Sequence, residues 1–124
     1  MPVVATFADA FIVLVLTGEY SHDDMRVAFL AALPGPQAVS GGLLIDLRQS
    51  TAIRGRSSEE VASMSRWWTH HAERFQGRLA LLASGRVEFG MTRLAGLAAE
   101  DAGLTVRVFR DEADAFEWIV ERHA

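Results

Sequence analysis

Along this chain, runs of consecutive or alternating apolar residues keep giving way to stretches in which apolar residues recur every three or four positions. That switching of period restricts the fold more than any other feature, because strands that alternate with helices must be layered. Residues 3–7 and 11–16 read as strands on either side of Ala8-Asp9-Ala10, an opening hairpin. The period changes at Ser21, where Ser21 and Asp24 have the spacing of a capping box. Met25, Ala28, Phe29, Ala32 and Leu33 then share one helical face, and Pro34-Gly35-Pro36 stops the helix. Residues 43–47 form a second apolar run, and residues 48–56 form a loop. A second capping box at Ser57 and Glu60 opens a helix with the core stripe Val61, Met64, Trp68, Ala72 and Phe75, ended by Gly77. A strand at 79–83, a helix at 87–100 closed by Gly103, and a strand at 104–109 come next. Asp111 then caps a last helix expected to turn Phe116, Ile119 and Val120 inward. The order is β-β-α-β-α-β-α-β-α, an α/β fold with a mixed, mostly parallel sheet covered by helices.

At 124 residues and 50% apolar, the chain can bury a core and reads as a single domain over residues 1–124. No repeat or linker interrupts it. The apolar run at 11–16 is far short of the roughly 20 residues a bilayer span needs, so stable membrane insertion is not expected. The start lacks a basic region ahead of that run, so the expectation is a cytoplasmic protein.

The order of elements and several local strings resemble the STAS-like superfamily, and within it the SpoIIAA-like branch of small bacterial proteins, related in fold to CRAL-TRIO lipid-binding domains. The strings are Leu44-Ile45-Asp46-Leu47-Arg48, Gln76 to Ser84 (QGRLALLAS), Phe89-Gly90-Met91-Thr92-Arg93, and Val106-Arg107-Val108-Phe109-Arg110-Asp111 leading into Ala115-Phe116-Glu117-Trp118. The resemblance covers nearly the whole chain. It implies a non-catalytic binding or regulatory module that makes protein–protein contacts, and the alternative is a carrier or sensor of a small apolar or amphipathic, lipid-like ligand. In anti-sigma factor antagonists, which the chain resembles distantly, a Ser or Thr opening the helix after the middle strand is phosphorylated. The matching place here is Gly55-Arg56-Ser57-Ser58-Glu59, which makes Ser57 and Ser58 candidate phosphoacceptors. It lacks the family's preceding Asp and following Gly. A phosphate would suit a helix N-terminus, but Glu59 and Glu60 would repel it, and an N-cap is the plain alternative for Ser57.

Charge is unevenly spread. The formal net charge is −4, yet residues 48–93 hold eight Arg against four Glu, a segment of +4 in a chain whose remainder is −8. An acidic balance disfavours general nucleic-acid binding. In an open α/β sheet, ligands bind outside the carboxyl ends of the parallel strands. Arg48, Arg54 and Arg56 follow the middle strand, Ser84 and Arg86 the next, and Arg110 the last, so these six are candidates for recognising an anionic group or an acidic partner. The plain alternative is solvated loop arginines. Trp67 lies about 120° around its helix from Val61. With His71, Arg74 and Phe89 it is a candidate protein or homodimer interface, unless the loop at 48–56 folds over it. Trp118 is expected off the core face of its own helix.

No cofactor or metal is expected. The chain has no Cys, and its basic residues are all Arg, so thiol, Cys-zinc and Schiff-base chemistry are excluded. His70 and His71 point about 100° apart on a helix and cannot chelate together. Ser84-Gly85 lacks the rest of a nucleophile elbow, and Asp46 at a strand end more readily caps a loop amide than acts as a base. The chain therefore does not read as an enzyme.

Overall fold

A computed structural model of the chain describes residues 3–8, 11–33, 41–50 and 57–120. The opening apolar runs pair as the antiparallel hairpin β1 (Val3–Ala8) and β2 (Phe11–Gly18), with Ala8 opposite Phe11. Helix α1 (His22–Ala32) follows, then β3 (Leu43–Ser50), α2 (Ser58–His70), a 3₁₀ turn (Ala72–Phe75), β4 (Arg78–Leu82), α3 (Arg86–Asp101), β5 (Thr105–Phe109) and α4 (Glu112–Val120). The five strands form one sheet in chain order, and β2 to β5 run parallel. The expected single α/β domain with a mixed, mostly parallel sheet is what forms. No helix among the described residues is long and apolar enough to cross a membrane.

Strand order explains the layering. Each crossover steps one strand in the same direction, and right-handed crossovers then place α1, α2 and α3 on one face. The pleat sorts the side chains accordingly. Ile12, Leu14, Leu16, Leu43, Ile45, Leu47, Leu79, Leu81 and Val106 face these helices, packing with Met25, Phe29, Met64 and Trp68. The opposite parity, Phe11, Val13, Leu44 and Ala80, faces Ala115, Trp118 and Ile119 of α4.

Both capping boxes form, Ser21 with Asp24 and Ser57 with Glu60. Asp111 caps the last helix by accepting from the N–H of Ala113 at 2.7 Å. Two boundaries differ from expectation by three residues or more. β3 continues to Ser50, three residues beyond the apolar run. α2 stops at His70, and the chain tightens into the 3₁₀ turn, where the N–H of Arg74 donates to the His71 carbonyl. Gln76, at φ 59°, then reverses it ahead of Gly77. The helix stop at 34–36 lies outside the described residues.

The inward face of α4 is a correction. Phe116 is 36% and Val120 45% exposed, whereas Trp118, expected off-face, is buried with Ala115 and Ile119. Residues 115, 118 and 119 also make an i, i+3, i+4 stripe. It wins because Trp118 stacks under Arg78, whose guanidinium carbon lies 4.3 Å from the ring centroid and whose Nη2 donates to the Trp118 carbonyl at 2.7 Å. Arg78 thus puts a cation at the C-terminus of α4, where the helix dipole favours one.

Candidate functional site

The topology brings the carboxyl ends of β3, β4 and β5 to one edge, and with them Arg48, Ser84 and Arg110. Arg54 and Arg56 lie outside the described residues, as do the side chains of Ser58 and Arg86.

Arg48 is not a free cation there. Residues 46 and 48 share a strand face, the one turned toward α4. Nε and Nη2 of Arg48 donate to the two oxygens of Asp46 at 3.0 and 2.8 Å, a bidentate pair, and Nη2 also reaches Glu112 at 3.4 Å. Asp46, only 6% exposed, accepts the N–H of Arg48 as well, at the point inside β3 where its pairing with β2 shifts register. Hydrogen bonding to Asp46 raises the Arg48 pKa further above its ordinary value. The pair serves to anchor the start of α4 to β3.

Toward β5 the arrangement is different. Arg110, exposed, lies over the Phe89 ring at 4.1 Å. Ser84 and Gly85 are exposed, and Gly85 (φ 82°) occupies the N-cap of α3 without a side-chain cap. Phe89 begins a groove of about 340 Å³ between α3 and β5, floored by Gly96, Val106 and Val108 and flanked by Arg93, Leu97 and Glu100. Gly96 keeps the floor low, since a Cβ there would touch Val106 and Val108 at 3.4 Å. Leu94 and Leu97 on the same helix are 67% and 57% exposed.

The Trp67 region is partly sealed. Trp67 is half-buried, stacked on His71 at 4.1 Å and edge-on to Phe29 and Trp68 at 5.8 and 4.9 Å. Nδ1 of His71 hydrogen-bonds the Trp67 carbonyl at 3.0 Å. Arg74 is half-buried beside them. The cover comes from α1, through Phe29 and the Arg26 guanidinium 5.9 Å from the Trp67 ring, and the loop proposed as a cover lies largely outside the described residues. Ser57 is exposed, and its hydroxyl oxygen accepts the N–H of Glu60 at 3.1 Å.

A cavity of about 70 Å³ lies between the sheet and α1–α3. From α3 the lining residues are Thr92, Ala95 and Ala99, small side chains that leave space opposite Leu47, Leu81, Met64 and Trp68. A lipid carrier needs on the order of 300 Å³ or more. Thr92, Leu94 and Leu97 were not singled out from sequence. The signal was available, since α3 carries more apolar residues than one stripe can bury, and a Thr sits within that stripe. Among the described residues no group of three His, Asp or Glu side chains is arranged to hold a metal ion.

A family model described as SpoIIAA-like matches residues 11–120. No curated protein matches. Among solved structures, an uncharacterised protein with a SpoIIAA-like fold from Shewanella loihica PV-4 superposes with a TM-score of 0.63 at 20% identity, over 94% of this chain and 91% of that one.

Proposed function

The chain belongs to the SpoIIAA-like family, and on that premise we propose that it is a non-catalytic binding module that docks an extended, acidic segment of a partner protein along the groove between α3 and β5. The observation that carries this reading is the meeting of Arg110 and Phe89 at the mouth of a groove beside an edge strand. β5 turns residues 105 and 109 toward β4, since the Thr105 N–H donates to Gly77 and the Phe109 carbonyl accepts from Ala83. By alternation, the backbone groups of Val106 and Val108 point away from the sheet. An added strand pairs there through its main chain, and the groove takes its alternate side chains.

Charge selects the occupant. Arg93 lines the groove and Arg110 lies over Phe89 at its mouth, both exposed, against Glu100 alone among the lining residues. A second copy docked on this edge would bring two surfaces carrying exposed arginines together, and like charges across a strand pair repel. An acidic strand meets them favourably, and arginine suits carboxylates because its donors form a fork.

Titrating the full chain with an alternating Val-Glu hexapeptide and with its Val-Lys counterpart, followed by amide chemical shifts, tests the reading. Saturable shifts at Val106, Val108 and Leu97 with the acidic peptide alone, weakened by Arg110→Ala and by added salt, are expected. Equal responses to both peptides, or no saturation with either, would sink it. Shifts at the same residues that depend on protein concentration would transfer the groove to a second copy and overturn the acidic-partner reading.

A further inference from the structure

On the reading that an extended segment docks between α3 and β5, we propose that this segment carries its charges in a fixed order: an acidic residue, an apolar residue two positions on, and a basic residue two positions beyond that, running antiparallel to β5.

The two ends of the groove differ in sign. α3 and β5 run in opposite directions, so Arg110 lies over Phe89 at the carboxyl end of β5. Glu100 stands at the amino end, where its carbonyl accepts the N–H of Gly103 at 2.9 Å and that of Ala99 accepts the N–H of Leu104 at 3.1 Å. Arg93, one turn on from Phe89, adds a second exposed cation on the arginine side. The other end is acidic without relief: Asp101 is exposed beside Glu100, and the last turn of α3 has no basic residue. A helix C-terminus carries partial negative charge and favours a cation, so a Lys or Arg of the docked segment is welcome there. Arg107 does not enter the balance. Alternation along β5 sends it to the opposite face, where its guanidinium carbon lies 5.5 Å from the Phe109 ring centroid.

Length sets the spacing. At about 1.5 Å per residue, α3 covers roughly 16 Å from Phe89 to Glu100. That is the reach of about five residues of extended chain at roughly 3.3 Å each. Val106, Val108 and Arg110 alternate onto one side of their strand, and in an antiparallel pair the residues opposite them share that side. The first of five docked residues then stands level with Arg110, the third with Val108 and the fifth with Val106, at the Glu100 end. Between Arg93 and Glu100 the groove is lined by Gly96, Leu97, Val106 and Val108, none of them charged, so the third residue is apolar. Antiparallel pairing is the more stable per residue, which puts the acidic residue first along the segment.

The test is an amide-detected NMR titration of the full chain with three end-capped heptapeptides: Thr-Asp-Thr-Val-Thr-Lys-Thr, the reversed Thr-Lys-Thr-Val-Thr-Asp-Thr, and the doubly acidic Thr-Asp-Thr-Val-Thr-Asp-Thr. All three should shift Val106, Val108 and Leu97 saturably, with the first binding about two- to fivefold tighter than either of the others, the range of one exposed ion pair. Glu100→Gln should bring the first and the doubly acidic peptide level, and Glu100→Lys should reverse their ranking. A nitroxide on the amino end of the first peptide should broaden the amide of Arg110 and spare that of Glu100. Saturable binding of equal affinity for all three, or a ranking that Glu100→Lys leaves unchanged, overturns the charge order while the groove stands. Broadening at Glu100 in place of Arg110 overturns the direction. No saturation with any of the peptides removes the groove itself, and the charge order with it.

Discussion

Gly42 and Gly90 make a paired prediction in which the same substitution acts in opposite directions. A Cβ on Gly42 would lie 2.6 Å from the Arg78 carbonyl oxygen, 2.6 Å from Cδ1 of Ile119 and 3.0 Å from Cβ of Arg78. The isoleucine tip can rotate away, but the carbonyl belongs to the first residue of β4 and cannot. Gly42 also accepts from the Ile12 N–H at 3.2 Å and donates to the Ile119 carbonyl at 3.4 Å, so its displacement disturbs β2 and the end of α4 together. Overpacking of this kind costs about 1–3 kcal/mol, and weakening the hydrogen bonds adds about 1 kcal/mol. The loss of unfolded-state freedom returns only about 0.4–1 kcal/mol. Gly42→Ala should therefore destabilise by about 2–3 kcal/mol. At about 2.1 cal/mol/K per residue for the entropy of unfolding, a chain of this length loses about 4 °C per kcal/mol, giving a fall in Tm of about 8–12 °C. Gly90 is exposed within α3, and a Cβ there meets nothing within 4 Å. Gly90→Ala should stabilise by about 0.5–1 kcal/mol, a rise of about 2–4 °C. Thermal melts followed by far-UV circular dichroism measure both. A Gly42→Ala melt within 2 °C of the parent, or shifts of the same sign in the two variants, would refute the reasoning.

Arg48→Ala should cost about 2 kcal/mol by denaturant titration, because it strands a buried carboxylate at Asp46, discounted for the partial exposure of the arginine. Asp46→Asn in the same background should recover part of that loss. Ser57→Ala should cost about 1 kcal/mol through loss of the N-cap, with Ser57→Asp close to neutral; a Ser57→Ala melt identical to the parent would remove the capping role. Native mass spectrometry at micromolar concentration should give the monomer mass, and a dimer would move the Trp67 and Phe89 surfaces into a homodimer interface.

The parts of this fold that could be read from sequence are those set by short-range chemistry. Ser21 and Ser57 each find their reciprocal carboxylate three residues on, so both helix starts were visible. The strands were equally plain, because the parallel strands β2, β3 and β4 are covered on both faces and must be apolar. α4 was harder, since Phe116 and Trp118 belong to overlapping stripes and only Arg78, forty positions earlier, decides between them. Strand order brings Arg48, Ser84 and Arg110 to one edge, yet the state of Arg48 depends on Glu112, sixty-four positions away. Its pairing with Asp46, two positions back on one strand face, could have been read.

α4 is fastened at both ends by guanidinium groups, Arg48 to Glu112 at its start and Arg78 to the Trp118 carbonyl at its finish. With no lysine in the chain, neither tether can be silenced by acetylation, and guanidinium keeps its proton at any pH at which a protein survives. α4 is thus a permanent backing plate. The three helices on the far side of the sheet form the other layer, the one that holds both the cavity and one wall of the groove.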